Sequence, residues 1–210
     1  MLLKPSPLTP TNFAAYGQVI ESAKSSSSSA NQGTASRFNH LASLQNGRPG
    51  VTSNVCLFRS AKRPLEKGGK SSGKSSGGTS RVKDDGSGNF RVRLLERHPY
   101  SSQMFVPINC CKRWLIVVAL SQKEAKGVDV RQEGKAGPDL STVRAFLARD
   151  DQGINFAAGV WHHPLIALES TTDFACVVFE NGTEDDCHIV DTDADGILVQ
   201  VPPRVETSRL

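Results

Sequence analysis

Two short segments of the chain carry residue types that can do acid–base chemistry or bind a metal ion. The first places a carboxylate, an imidazole and an amide at Glu96, His98 and Gln103, with the spacing E-x-H-x4-Q. The second places Gly159 three residues before His162. Residues two apart on a β-strand point to the same face. Glu96 and His98 are therefore expected to enter the same space.

These spacings resemble the two cupin motifs, in which H-x-H-x4-E and a later G-x-x-H supply metal ligands inside a double-stranded β-helix. Here a glutamate replaces the first histidine of the pattern, and an amide replaces its glutamate. The resemblance makes Glu96, His98, Gln103 and His162 the ligand positions. Such an N/O set suits one divalent ion such as Ni, Mn, Fe or Zn better than Cu(I) or Ca. The alternative is that Glu96 and Gln103 only hydrogen-bond within a polar pocket, and no organic cofactor is expected.

The segments that would position these side chains are short, β-branched and separated by Gly, Pro, Asn and Asp. Many short strands without regular strand–helix alternation predict an antiparallel barrel or jelly roll. With the cupin resemblance, the predicted fold class is an all-β, cupin-like double-stranded β-helix with a few short helices. Thr9 is expected to cap a helix through Tyr16, with Gly17 as its stop. The candidate strands are residues 19–21, 52–59, 90–96, 104–107, 113–120, 143–148, 165–169, 174–180 and 188–190.

The length of 210 residues favours one domain, which we place at residues 1–200. Ser- and Gly-rich or polar stretches predict a surface loop and disordered inserts at about 24–30, 66–89 and 121–137. Residues 201–210 are expected to form a C-terminal tail. It ends in Ser208-Arg209-Leu210, which resembles a peroxisomal targeting tripeptide. The expected location is therefore the peroxisome, reached through its import receptor, with the cytoplasm as the alternative.

The charge and the hydropathy of the chain argue against two classes of partner. The net charge is +4, but residues 62–91 hold eight basic and three acidic residues, so the rest of the chain is near neutral. Nucleic-acid binding as the main role is therefore not expected. The longest strongly apolar run is the seven residues 114–120, well short of the roughly 20 that cross a membrane. The five cysteines form no C-x-x-C pair and no secretory signal opens the chain, so free thiols are expected.

A longer series of strings lies at residues 13–21, 31–33, 37–38, 95–99, 103–107, 138–146, 153, 155, 160–165 and 173–174. Taken in this order, they resemble the ureidoglycolate lyases, formerly called ureidoglycolate hydrolases, in a eukaryotic form with inserts. The family's cupin-like barrel and usual homodimer are what this resemblance implies. It also implies cleavage of (S)-ureidoglycolate to glyoxylate and urea, late in purine and allantoin breakdown.

Such a reaction needs a base for the substrate hydroxyl, help for the urea leaving group and a partner for the carboxylate. We expect His162 or His98 to be the base, because neutral imidazole titrates near working pH. Glu96 would orient that imidazole, or donate a proton if burial raises its pKa. Arg97 is expected to face outward, and His163 is expected to point away from His162.

Five further residues are expected to bind the substrate. Arg37 is assigned to the carboxylate, since a planar guanidinium matches it in bidentate fashion. Gln103 and Asn155 would pair with the urea group, which needs donors and acceptors. Trp161 is taken as a pocket wall or a core residue. Arg144 would contact either the ligand or a protein carboxylate.

Two other functions remain open from the sequence. One is an amidohydrolase that acts on the same substrate and releases ammonia. The other is a non-catalytic cupin-like protein that binds a small carboxylate. The product, urea or ammonia, separates the first from the lyase, and binding of glyoxylate without turnover would favour the second.

Overall fold

Short β-strands form almost all of the regular structure in a computed structural model, which describes residues 1–22, 26–67, 84–109, 112–122 and 136–204. The α-helix α1 spans Pro10–Phe13, and Thr9 Oγ1 accepts from Asn12 N at 3.1 Å at its start. Within the described ranges the strands are β1 (Leu2–Leu3), β2 (Ser6–Pro7), β3 (Gly17–Ile20), β4 (Ser27–Ala30), β5 (Ala35–Phe38), β6 (Ser53–Ser60), β7 (Gly88–Arg91), β8 (Leu94–Arg97), β9 (Gln103–Pro107), β10 (Arg113–Ala119), β11 (Arg144–Arg149), β12 (Gly153–Phe156), β13 (Trp161–His162), β14 (Ile166–Ala167), β15 (Thr172–Phe179), β16 (His188–Asp191) and β17 (Leu198–Val201).

The strands form three sheets and one separate hairpin. The central sheet has the order β16-β8-β13-β10-β11-β2, with β14 also paired to β10. A five-stranded sheet has the order β3-β12-β9-β15-β6, a three-stranded sheet has the order β1-β17-β7, and β4 pairs with β5. The all-β, cupin-like fold class predicted from the sequence is confirmed, but the sheets do not close into one barrel.

Strand β10 shows how the three sheets pack as layers. Trp114, Ile116 and Val118 join a cluster shared with the five-stranded sheet, which we call the front core. The alternate residues, such as Leu115 and Val117, join a cluster shared with the three-stranded sheet, which we call the back core. Because both faces of β10 are covered, its sequence is a continuous apolar run rather than an alternating one.

Several predicted boundaries are wrong, and long-range packing explains them. Residues 90–96 do not form one strand, since β7 and β8 belong to different sheets. Between them Val92 is buried in the back core, which both sheets share, and its N–H donates to Ile197 O at 3.0 Å. Strands β12 and β17 are absent from the sequence prediction. Helix α1 ends before Tyr16. Gly17, at φ 149°, lies so close to the backbone of Asn155 that a Cβ atom would be 2.0 Å from its carbonyl oxygen.

The predicted inserts and tail are only partly described. The loop expected at 24–30 includes β4, which pairs with β5 along Ser27–Ala30. At the ends of the 66–89 insert, Glu66 and Asn89 exchange two backbone hydrogen bonds of 2.8 Å, so those boundaries were too wide. Residues 68–83, 123–135 and 205–210, including the predicted targeting tripeptide, lie outside the described residues. No described helix has the length and apolar character to cross a membrane.

Candidate active site

The two sequence segments with candidate ligands meet on the front face of the central sheet. Strand β8 carries Glu96 and leads directly into His98, while His162 on β13 is the register partner of Glu96. Opposed residues of an antiparallel pair share one face of the sheet. The ligand atoms of Glu96, His98 and His162 all lie within 4.8 Å of one another. We call these three residues the front cluster.

The His162 ring is fixed by contacts with four residues. Its Nδ1–H donates to the carbonyl of Val160 at 3.0 Å, and its buried ring stacks on Phe156 at 4.1 Å between centroids. Its Nε2 lies 3.0 Å from Gln103 Oε1 and 3.5 Å from Glu96 Oε1. Two arrangements satisfy the contact with Gln103: an imidazolium that donates from Nε2, or a neutral ring with the amide turned to present its NH₂ group.

His98 offers an unused lone pair. Its Nδ1 lies 3.0 Å from the carbonyl of Asp186, so Nδ1 carries the proton and Nε2 is an acceptor. Within the described residues this Nε2 is buried without a hydrogen-bond partner. Burial, followed by the neighbouring charge of His162, lowers the pKa of His98 below its ordinary value. The ring is therefore neutral at neutral pH.

Glu96 is an anion at neutral pH. Burial acts to raise the pKa of Glu96, but the hydrogen bond and electrostatic interaction with His162, followed by the interaction with His98, outweigh it, and the pKa is lowered. The orienting role expected from the sequence therefore fits this carboxylate better than donation of a proton to the leaving group.

The donors of this site fit a divalent metal ion. Glu96 supplies a carboxylate, and His98 and His162 supply Nε2 atoms whose opposite ring nitrogens donate to backbone carbonyls. Metal-binding histidines characteristically have such a partner, because it fixes the tautomer and the ring orientation. The buried Nε2 of His98 is left for a ligand, and Gln103 Oε1 is a fourth donor nearby.

The opposite face of the same two strands has a different composition. Arg97, predicted to face outward, is instead 2% exposed, and its guanidinium lies 4.8 Å from the ring centroid of Trp161. It donates to Ser121 Oγ at 3.1 Å and contacts His188 Nδ1 at 3.4 Å. The outward prediction failed because this face is buried as well: Trp161, Ser121 and His188 lie around the guanidinium.

Two of the predicted substrate-binding residues point away from the front cluster. Trp161 is part of the back core, as expected for the residue that alternates with His162 on β13. Asn155 alternates with Phe156 on β12, and its Nδ2 donates to Gln18 Oε1 at 2.7 Å and to Ser43 O at 3.1 Å. Both residues were chosen for their chemical type, whereas strand alternation decides which face they occupy.

The two predicted arginines also lie apart from the front cluster. Arg37 is exposed on β5, in the hairpin opposite Ser28. Arg144 is two strands from His162, across β10, and donates to the carbonyls of Ser141 and Val143 at 3.2 and 2.8 Å. Of the five predicted binding residues, the structure brings only Gln103 to the front cluster.

The other histidines have separate environments. His163 points away from His162, as expected: its ring meets Phe90 edge-on at 5.1 Å and its Nδ1 lies 2.7 Å from Pro164 O. Burial lowers the pKa of His163 to about 4. His40 is exposed with φ 57°, and His188 contacts Arg97 from β16.

Sequence reasoning missed the residues that support the front cluster. Phe156 stacks on His162, and Asp186 fixes His98. Alternation along β12 was the available signal for Phe156, because it had to face away from Asn155. No local motif marks Asp186, which acts through its backbone carbonyl.

The fold and the site together define an all-β, cupin-like protein with a Glu/His/His group that could hold a metal ion. The family model for ureidoglycolate lyase matches residues 1–199, and the chain therefore belongs to the ureidoglycolate lyase family.

Curated relatives agree with this assignment. The chain is 36% identical over 172 residues to a protein of Burkholderia mallei named ureidoglycolate lyase, covering 81% of this chain and 78% of the relative. It is 32% identical over 186 residues to one of Burkholderia cepacia, covering 89% and 84%. It is 30% identical over 185 residues to one of Pseudomonas aeruginosa, covering 88% and 87%. All three relatives are named ureidoglycolate lyase.

Proposed function

We propose that the protein is a lyase that cleaves (S)-ureidoglycolate to glyoxylate and urea. The observation that carries the proposal is the front cluster, which joins an anionic carboxylate to two imidazoles inside a chain of this family. In the reaction the substrate hydroxyl loses its proton as the C=O bond forms. The C–N bond breaks, and the ureido nitrogen takes a proton to leave as urea.

The unpartnered Nε2 of His98 supports its assignment as the base on the substrate hydroxyl when no metal ion is bound. It is buried and neutral, and Asp186 holds the proton of the ring on the other nitrogen. Glu96 stabilises the positive charge that the imidazole acquires. Gln103 hydrogen-bonds to the urea group, because its amide carries both a donor and an acceptor. A positioned proton transfer of this kind contributes about 10²–10⁴-fold to rate.

A divalent metal ion would be held by Glu96, His98 and His162, with Gln103 beside them. Bound there, it would polarise the substrate hydroxyl and carboxylate. The groups that act most strongly on Glu96 are histidines, and the arginines predicted to bind the substrate carboxylate lie elsewhere. The substrate carboxylate would therefore meet a carboxylate, which a metal ion would offset. Whether the activity requires a metal ion, and which ion, is measured together with the products.

The deciding experiment measures urea and ammonia released from (S)-ureidoglycolate by the purified protein, before and after removal of metal with a chelator. Elemental analysis accompanies both samples. Stoichiometric urea and glyoxylate support the lyase. Ammonia with little urea would instead indicate an amidohydrolase, and tight glyoxylate binding without turnover a binding protein. Loss of activity on chelation, restored by one divalent ion, assigns the metal-dependent form.

We propose that the protein is a homodimer joined through β6, an edge strand of the five-stranded sheet. Val55 and Leu57 are 72% and 53% exposed on one face of this strand. Arg59, which is 71% exposed and paired with Asp173, stands at one end of β6, and Glu180, bonded to Asn54, stands at the other. Two-fold antiparallel pairing of two copies would bring these opposite charges together.

Sedimentation velocity tests the homodimer. Leu57→Asp should shift the protein from dimer to monomer, while Ile189→Asp, a like change at an exposed residue of β16, should not. A monomeric wild-type protein at micromolar concentration would exclude the dimer.

The location proposed for this activity is the peroxisome, through recognition of Ser208-Arg209-Leu210 by the import receptor. Purine breakdown, which produces the substrate class, would then be the metabolic setting. Fusion of residues 207–210 to a fluorescent protein should give punctate signal that coincides with a peroxisomal marker. Diffuse cytosolic signal would favour the cytoplasm.

A further inference from the structure

Arg48 lies outside the front cluster but is bonded to the segment that fixes His98. Its Nη1 donates to Asp186 Oδ1 at 2.5 Å and to Asn181 Oδ1 at 2.8 Å, and its Nη2 lies 2.6 Å from Asp185 Oδ2. The side chain is 16% exposed. A guanidinium held this closely by two carboxylates and an amide constrains the whole turn from residue 181 to residue 186.

The other side of Arg48 is fixed to the loop that connects His98 with Gln103. Its guanidinium lies 4.1 Å from the ring centroid of Tyr100, and the N–H of Gly47 donates to the carbonyl of Tyr100 at 2.6 Å. Arg48 therefore joins two segments, one that follows His98 in sequence and one that contacts its ring.

Asp186 transmits this constraint to the imidazole. Its Oδ2 accepts from the backbone N–H groups of Asn181 and Gly182 at 2.9 and 2.7 Å. Its backbone carbonyl accepts from His98 Nδ1 at 3.0 Å. Because the carboxylate and the carbonyl belong to one residue, the contact with Arg48 limits how far the carbonyl can turn away from the ring.

We propose that Arg48 is a positioning residue that holds His98 in the tautomer with the proton on Nδ1 and the lone pair of Nε2 directed into the front cluster. The consequence for catalysis rests on the proposed lyase function, whereas the effect on the tautomer does not. A ring free to exchange its tautomers would present Nε2–H to the cluster part of the time, and a protonated Nε2 can neither take a proton nor bind a metal ion.

The test uses the full-length protein after chelation, with ¹⁵N-labelled histidine and long-range ¹H–¹⁵N NMR to read the tautomer of His98. Wild type should show one tautomer. Arg48→Gln should shift His98 toward a mixture, and Arg48→Lys should fall between the two. Arg113→Gln is the matched control, because Arg113 is 15% exposed and bonded to Glu169 but lies at the opposite end of β10 from the residue paired with His162. The control should leave His98 unchanged.

Two further readouts separate positioning from general stability. Zn²⁺ affinity, measured by titration, should fall about 10–100-fold in Arg48→Gln, the usual cost of losing support for a ligand. With substrate, kcat should fall while KM stays within about threefold. If Arg48→Gln does not fold, Asp186→Asn, which weakens the same contact, replaces it. A single wild-type tautomer of His98 in the folded variants would overturn the proposal, even if urea release is lost.

Discussion

The two faces of the β8–β13 pair differ more than their sequences suggest. On the front face, Glu96 and His162 meet His98, and among the described residues Nε2 of His98 has no hydrogen-bond partner. On the back face, Arg97 and Trp161 pack against each other in the interior. Adjacent residues on the same two strands thus serve chemistry on one side and packing on the other.

The adjacent residues His162 and His163 show the same contrast between the two faces. Both are buried, yet His162 has its Nε2 at Glu96 and Gln103, whereas His163 packs its ring against Phe90. Strand periodicity sends them to opposite faces. Residue type and burial therefore do not identify the functional histidine, and the face of the sheet does.

The largest expected effect comes from replacing the two histidines of this dipeptide one at a time. His162→Asn removes the ring that joins Glu96 to Gln103 and should lower kcat/KM for urea release at least 100-fold. His163→Asn should leave kcat of the folded protein within about threefold, while lowering its thermal stability through lost packing. Equal losses of turnover in both variants would remove the distinction between the faces.

Replacing Arg97 tests the back face as a structural element. Arg97→Leu removes the hydrogen bond to Ser121 and the contact with Trp161. It should lower the free energy of unfolding by about 2–4 kcal/mol, the range for a broken buried polar network. Denaturant unfolding gives this value, and steady-state kinetics on the folded protein should show near-normal kcat. A stable variant without activity would show that the guanidinium acts on the front cluster.

Local spacing and the resemblance to the cupin motifs together were sufficient to find the front cluster. Glu96 on β8 and His98 directly after it share a face because they are two residues apart, whereas Gln103 and His162 were expected there from the resemblance to the cupin motifs. The buried strand β10 was equally clear, since a continuous apolar run of that length has few other interpretations.

The residues that sequence analysis placed wrongly or missed are those whose positions depend on contacts between distant segments. Asn155 was assigned to the substrate by its chemistry, but the order of β3, β12 and β9 places it against Gln18 instead. Arg48 and Asp186 are 138 residues apart and belong to no motif. Their roles arise only when the turn before β16 folds against the loop after His98.

The smallest expected effect is a dependence of stability on pH that comes from His163 on the back face. Burial lowers the pKa of His163 to about 4, so the folded protein resists its protonation while the unfolded chain, with an ordinary pKa near 6.5, accepts it. Stability is unaffected by this group above pH 6.5 and falls as the pH decreases toward the folded-state pKa, by about 2 kcal/mol at pH 5. Denaturant unfolding of the chelated protein from pH 7 to pH 5 measures it. His163→Asn should show a shallower decline over that range, and parallel curves for the two proteins would mean that His163 does not titrate between them.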